Sequence, residues 1–244
     1  MEDKFSVTIV IPTWNGKELL VRQLPKVKKA APGVPILVAD DHSTDNTEAF
    51  IRQEFPDVKV ISSSVHHGFS STVNLGVKAA GSDIIILLNT DVVPRKGFIR
   101  SLVHHFDDQQ VFAVGCMDIS HEKNGIVKRG RGIARWFRGL YVHAKGDIGK
   151  NNTAWVSGGS GAFRKVMWDE LGGLDSLYDP FYWEDIDISY RARKAGWKCV
   201  FEKHSIVDHF HEEGKIKTGY STSSIQTIAY RNQYAAWIQK AMTF

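Results

Sequence analysis

Cysteine is nearly absent. Cys116 and Cys199 are the only two in 244 residues. A disulfide framework or a Cys-rich metal site needs more, so both are expected as reduced thiols in a cytosolic protein. No apolar run approaches the ~20 residues that cross a bilayer. The opening MEDKFSVTIVIP lacks the charged-then-apolar order of a signal peptide. The expectation is a cytoplasmic protein. Strong charge is missing too: a net charge of +4 is too mild to argue for a nucleic-acid partner. It suits an anionic small ligand or an anionic membrane surface. Phosphate-binding glycine loops are also lacking. Neither a P-loop nor G-x-G-x-x-G follows the first apolar run; Pro12-Thr13-Trp14-Asn15-Gly16 stands there instead. That argues against a P-loop phosphotransferase and a dinucleotide dehydrogenase.

What is present reads as an ordinary globular chain, 43% hydrophobic and 24% charged. Residues 6–12, 35–40, 58–61 and 84–88 read as short strands rich in aliphatic side chains. Helical spacing lies between them: Leu20, Leu24 and Val27, then Phe50, Ile51 and Phe55. Asp45 and Glu48 are spaced as a capping box, and Gly81 reads as a C-terminal cap. Strands apolar on both faces and alternating with helices predict a parallel sheet covered on both sides. We therefore expect an α/β fold, with an open sheet over residues 1–117. Its ligands should bind beyond the carboxyl ends of the strands.

Residues 118–225 are expected to form the other half. Within them, residues 123–150 hold eight Lys or Arg against one acid, Asp147, together with six glycines. This window reads as a mobile basic loop, either solvated or facing phosphate or anionic lipid. Residues 155–163 read as a strand interrupted by glycines. A helix is expected from about Glu184 to Gly196, with Ile188, Ala192 and Ala195 on one face. A last strand covers 198–202, and residues 207–214 read as a loop. Residues 226–244 read as an amphipathic helix with Ile228, Tyr234, Trp237, Ile238 and Met242 as apolar contacts, packing on the domain, touching a membrane, or both.

Three polar clusters fall at predicted element ends: Asp40-Asp41, Asn89-Thr90-Asp91, and Glu184-Asp185 with Asp187. Any one of them alone would serve as a helix cap or an ion pair. Three on one edge suit a divalent ion, Mg²⁺ or Mn²⁺, bridging carboxylates to the phosphates of a nucleoside diphosphate.

The motifs resemble glycosyltransferase family 2, whose members have the GT-A fold. VTIVIPTWNG is similar to the family's opening strand and loop, and VADDHSTDNT to its V-D-D-x-S-x-D-x-T segment. HHGFSSTVNLGVKAAGSDIIILLNTD resembles its N-x-G-F helix and D-x-D strand, and FYWEDIDISYRARKAGW its E-D-x-D helix. Tyr230-Arg231-Asn232 resembles a late Arg-Asn element. These ordered matches run from residue 5 to about 232.

The resemblance implies transfer of a sugar from a nucleoside diphosphate sugar, UDP- or dTDP-linked, to an acceptor hydroxyl on a glycan or glycolipid, with inversion. It implies Mg²⁺ or Mn²⁺ as cofactor, Asp185 as general base, and Glu184 orienting the base or acceptor. Asp40 or Asp41 would read the base through its N3–H, with Asp40 ranked first. Pro12, Thr13, Asn15, Asn74 and Asn89 would surround the nucleotide. Asp91 would hold the metal, joined by His209 or His211, with His209 favoured because alternate residues of an extended segment point opposite ways. Asn89 stands where the family's first D-x-D carboxylate lies, as in its N-x-D rhamnosyltransferase-like members. Gly158, Gly159, Trp183, Asp187 and His211 would meet sugar or acceptor. Trp136 and Trp155 would stack on sugar rings or simply pack. His66-His67 and His104-His105 read as structural or solvated.

Asp185 carries an inherent tension. A helix N-terminus lowers a carboxylate pKa, whereas burial raises it. Two rival functions remain: a sugar-1-phosphate nucleotidyltransferase, which wants a Gly-rich Arg/Lys loop after strand one, and a non-catalytic carbohydrate- or nucleotide-binding module, which would not need Asp185.

Overall fold

A computed structural model of the protein describes residues 4–210 and 213–241. The first half alternates β1 (Val7–Thr13), α1 (Lys17–Ala30), β2 (Ile36–Asp40), α2 (Thr47–Glu54), β3 (Lys59–Ser62), α3 (Phe69–Ala79) and β4 (Ile84–Leu88). β1 pairs in parallel with β2 and β4, and β2 with β3. The cause is visible in β4. Ile84, Ile86 and Leu88 enter one core with Leu20 and Leu24 of α1. Ile85 and Leu87 enter the other with Val73 and Val77 of α3. Each such fully buried aliphatic contributes about 1.5–3 kcal/mol. A strand buried on both faces has no room for a polar position until it ends, which is where Asn89 begins. Helix α3 lies tight on the sheet because residue 76 is glycine; a Cβ there would sit 2.6 Å from a Val10 methyl and 3.0 Å from the Ala39 Cβ.

The chain continues through β5 (Val92–Pro94), α4 (Phe98–Val103), β6 (Val111–Glu122), β7 (Gly125–Arg129), β8 (Gly132–Phe137), β9 (Leu140–Lys145), β10 (Ser160–Arg164) and α5 (Lys165–Glu170). It finishes with α6 (Glu184–Lys194), β11 (Lys198–His209), α7 (Lys215–Gly219) and α8 (Thr222–Ala241). Among the described residues the main sheet runs β3-β2-β1-β4-β10-β6-β11-β5, with β7 on β6. β10 is antiparallel to both β4 and β6, which breaks the parallel run. β6 passes through residue 117 without a break, so the two expected halves share one sheet.

Several local expectations are corrected. The basic window is not a loop: it holds β7 and the separate β8–β9 ribbon. The Asp45–Glu48 box does not close. Asp45 accepts from Thr47 and from the Lys17 N–H, while Glu48 binds Arg52 and Ser62. Helix α3 ends at Ala79 with an extended Ala80 after it, leaving Gly81 no capping role. Only Ser160–Arg164 of residues 155–163 is strand. β11 extends to His209, because a register shift between Glu202 and Ile206 loops out the intervening residues and pairing then resumes. In α6, Ile188 and Ala192 are buried but Ala195 is exposed. Helix α8 packs through Asn232 and Ala236, while Tyr230, Tyr234 and Ile238 face outward; Met242 lies outside the described residues. No helix among the described residues is long and apolar enough to cross a membrane.

Candidate active site

A cleft of about 350 Å³ opens at the carboxyl ends of β1 and β4. Pro12, Thr13 and Trp14 come from the end of β1, and Asn89, Thr90 and Asp91 from the end of β4. Gly158 and Gly159 precede β10, Glu184 and Asp185 begin α6, and His209 ends β11. Three buried oxygens among these side chains have no hydrogen-bond partner: Thr13 Oγ1, Asn89 Oδ1 and Glu184 Oε2. An unpaired buried polar atom costs about 1–3 kcal/mol. Three of them in one cavity mark a surface shaped for a polar ligand.

Asn89 sits close because residue 159 has no side chain; a Cβ there would lie 2.6 Å from Asn89 Nδ2. The Gly159 carbonyl accepts the Asn89 N–H at 3.0 Å. Asp91 and His209 face one another, Oδ2 to Nε2, at 3.4 Å. On its other side, His209 Nδ1 meets Asp118 Oδ2 at 2.7 Å. Burial works against a charged imidazole here, but the Asp118 and Asp91 carboxylates outweigh it and push the pKa up to about 9.

Asp185 is half-buried. Its carboxylate accepts from the Ile186 N–H at 2.7 Å and from the Gly158 N–H. Burial raises its pKa to about 6, against the lowering pull of those N–H groups. Desolvation thus wins over the helix N-terminus. Glu184 is buried, and burial together with the neighbouring Asp185 charge raises its pKa well above the usual carboxylate range. Burial thus disfavours a second negative charge on the pair, and more strongly at Glu184 than at Asp185.

The turn that delivers this pair is strained. Tyr182 and Trp183, both bulky, take left-handed φ of 75° and 81°, costing about 1–2 kcal/mol each. Fully buried Asn232 of α8 holds them. Its amide donates to the carbonyls of Tyr178, Phe181 and Tyr182 at 2.7, 2.8 and 3.0 Å. Arg231 bonds the Asp179 carbonyl beside it.

Other expected site residues lie elsewhere. Asp41 does not reach the cleft: its carboxylate accepts from His66 Nδ1 and the N–H groups of His67 and Gly68. It is thus the more heavily committed of the aspartate pair. Asp40, at the end of β2, is buried, bonded to Ser43, and does not line the cleft. Asn15 ties the first loop to Thr44 and Ser43. Asn74 is occupied by the backbone of Leu174. Asp187 points into the protein, 2.7 Å from Arg191 Nε, because α6 turns its fourth residue away from the cleft. Trp183 packs with Tyr178, Ile186 and Tyr190. Trp136 and Trp155 pack beside that cluster and do not line the cleft. His211 lies outside the described residues.

Sequence reasoning missed other lining residues: Trp14, His66, Phe69, Tyr182, Lys217 and Tyr220. Trp14 stacks on His66 at 4.4 Å, and only the fold brings those segments together. Asp118 was also missed, since nothing at its position in β6 distinguishes it from a strand residue. Among the described residues, the metal-ligating atoms that converge in a group of three belong to His104, His105 and Glu202, away from the cleft. There, Glu202 accepts from His105 and His204 at 2.6 and 2.8 Å.

Residues 4–239 match the family described as Glycosyltransferase like family 2. The chain belongs to that family. It is 26% identical to a pre-mycofactocin glycosyltransferase of Mycobacterium tuberculosis, over 84% of this chain and 43% of that protein. Identity to the O-antigen chain rhamnosyltransferase RfbN of Salmonella typhimurium is 25%, covering 84% and 66%. Identity to the N-acetylglucosaminyl-diphospho-decaprenol L-rhamnosyltransferase of M. tuberculosis is 24%, covering 85% and 77%. This family 2 chain therefore spans less than half of the first of these relatives.

Among solved structures, GalNAc-T7 with UDP, GalNAc and Mn²⁺ superposes with a TM-score of 0.71 at 20% identity, covering 86% of this chain and 44% of that one. The mannosyltransferase PcManGT of Pyrobaculum calidifontis, in complex with GDP-Man and Mn²⁺, gives 0.64 at 16% identity, covering 85% and 57%. At such identities the likeness speaks for the fold, and the fold is GT-A.

Proposed function

We propose that the cleft transfers a glycosyl group from a nucleoside diphosphate sugar to an acceptor hydroxyl. The observation that carries this reading is the Glu184–Asp185 pair. Asp185 is a partly exposed carboxylate with a pKa raised to about 6, on the floor of a cavity lined by three unpartnered buried oxygens. A base poised near the working pH is what a hydroxyl nucleophile needs. Asp185 takes the acceptor proton. Glu184 lies beside it, and its burial disfavours a second negative charge on the pair.

Asp91 Oδ2 and His209 Nε2 would hold Mg²⁺ or Mn²⁺, at the cost of the proton that Asp118 and Asp91 favour on the imidazole. Their 3.4 Å separation suits two ligands of one ion, which sit about 3 Å apart when each is about 2.1 Å from the metal. Asp118 orients the imidazole by taking its other nitrogen. When bound, the ion offsets the negative charge that develops on the departing diphosphate. Asn89 and Thr13 meet the donor's polar groups, and Lys217 adds a cation to the wall.

The related rhamnosyltransferases, one acting on an N-acetylglucosaminyl-diphospho-decaprenol, support a deoxyhexose donor and a glycan or lipid-linked acceptor. The loop Thr13–Gly16 carries no Arg or Lys, which disfavours nucleotidyl transfer.

A donor screen tests the reading. Nucleotide sugars are incubated with Mg²⁺ or Mn²⁺ and released nucleoside diphosphate is measured, with Asp91→Ala as control. Asp185→Asn should lower transfer by about 10²–10⁴-fold while nucleotide binding persists. Unchanged turnover removes the assignment.

A further inference from the structure

The β8–β9 ribbon breaks the usual rule that one face of a small sheet is wet. Its inner face carries Trp136 opposite Tyr141, packed on Tyr190 and the cluster beneath α6. Its outer face follows from the register: Ile133 opposite Ala144, Arg135 opposite Val142, Phe137 opposite Leu140. Five of those six side chains are apolar, yet Ile133 is 46% exposed, Phe137 48% and Leu140 38%. The ribbon ends in a two-residue turn, Arg138-Gly139, with φ of 50° and 78°, the conformation that matches hairpin twist. That turn sets Arg138 at the tip. The guanidiniums of Arg135 and Arg138 lie 5.4 and 5.3 Å from the Phe137 ring centroid. No carboxylate occupies the outer face.

From this face we infer a docking surface for an anionic lipid bilayer. Aromatic and aliphatic side chains ringed by arginine are the chemistry of an interfacial anchor. Anionic headgroups complement the two guanidiniums, Arg135 and Arg138, both exposed. A second copy of the chain fits worse. A two-fold pairing of this face would set arginines against arginines with no acid between them. The placement serves the chemistry. His143, on the inner face, meets Trp183 edge-on at 5.0 Å, and Trp183 immediately precedes Glu184. A bilayer against the ribbon is therefore about one sheet spacing, roughly 10 Å, from the segment that starts the catalytic helix. Lipid docking stands on the ribbon alone; only its link to a lipid-linked acceptor rests on the proposed transferase reading.

The test is flotation of the full chain with phosphatidylcholine vesicles, with and without roughly one-third phosphatidylglycerol. Binding should require the anionic lipid and weaken as salt rises from roughly 0.1 to 0.5 M. Arg135→Ser with Arg138→Ser should reduce it about fivefold per charge. Phe137→Ser with Leu140→Ser should reduce it at least tenfold. The arginine variants alter only exposed side chains, so they report even if the apolar pair disturbs the ribbon. Asp185→Asn should float like the wild type, which keeps docking separate from catalysis. The inference is overturned if the wild type fails to bind at low salt or if the arginine variants bind unchanged. It is equally overturned if light scattering finds a dimer that Phe137→Ser with Leu140→Ser dissociates.

Discussion

Replacing Asn232 with alanine tests how much of the active site is held from a distance. The Asn232 side chain is buried in α8 and does not itself line the cleft, though it holds the backbone of two residues that do. Its amide has two hydrogens, shared among three carbonyls of residues 178, 181 and 182. Losing two net hydrogen bonds costs about 1 kcal/mol each, and burying the freed carbonyls adds about 1–3 kcal/mol. The sum, about 3–5 kcal/mol, is at least as large as the strain at Tyr182 and Trp183, about 2–4 kcal/mol for two left-handed residues. Without the clamp the turn has reason to relax, and Asp185 moves with it. A displacement of about 1 Å costs roughly 10²-fold in rate. The expected result is kcat down about 100-fold with donor KM changed less than about threefold, and Tm lower by roughly 6–20 °C. Asn232→Asp should be worse, since a carboxylate would oppose three carbonyls. Steady-state assay of nucleoside diphosphate release, run well below the melting point, gives the answer. A variant that melts early yet keeps kcat would show the clamp to be purely structural.

Two further outcomes follow from the same geometry. Asp185 must be charged to act as base, and its pKa is raised to about 6. Activity should therefore be full above about pH 7 and fall about tenfold per pH unit well below pH 6; a kcat/KM profile still flat at pH 4.5 would contradict a raised base. Asp118→Asn removes the carboxylate that fixes His209 at 2.7 Å, so half-saturation by Mn²⁺ should need about 10–100-fold more metal. An unchanged titration would separate His209 from metal binding.

The opening half was legible because its physics is local. The run Ile84–Leu88 can only be a strand buried on both faces, and its abrupt end marks the binding edge. The later half depends on contacts the linear pattern hides. β11 looked finished at Glu202 because the looped-out residues after it break the alternation; pairing with β6 resumes beyond them and carries His209 to the cleft. The basic window looked like a solvated loop because lysines, arginines and glycines mask the alternation of β8 and β9. Of the acidic clusters, Asp91, Glu184 and Asp185 converge as expected. Neither Asp40 nor Asp41 lines the cleft: the Asp41 carboxylate is spent anchoring the start of α3, and Asp40 is turned to Ser43. Asp187 fails for a related reason: α6 turns it inward to Arg191. The Asp118–His209 pair joins positions 91 residues apart, which no single-strand pattern announces.

The clamp on the Tyr182–Trp183 turn also orders events during synthesis. Pro12–Trp14 and Asn89–Asp91 emerge early, but Gly158, Gly159, Glu184 and Asp185 come later, and the residue that clamps their turn comes later still. The cleft therefore cannot take its working shape until α8 has emerged and packed.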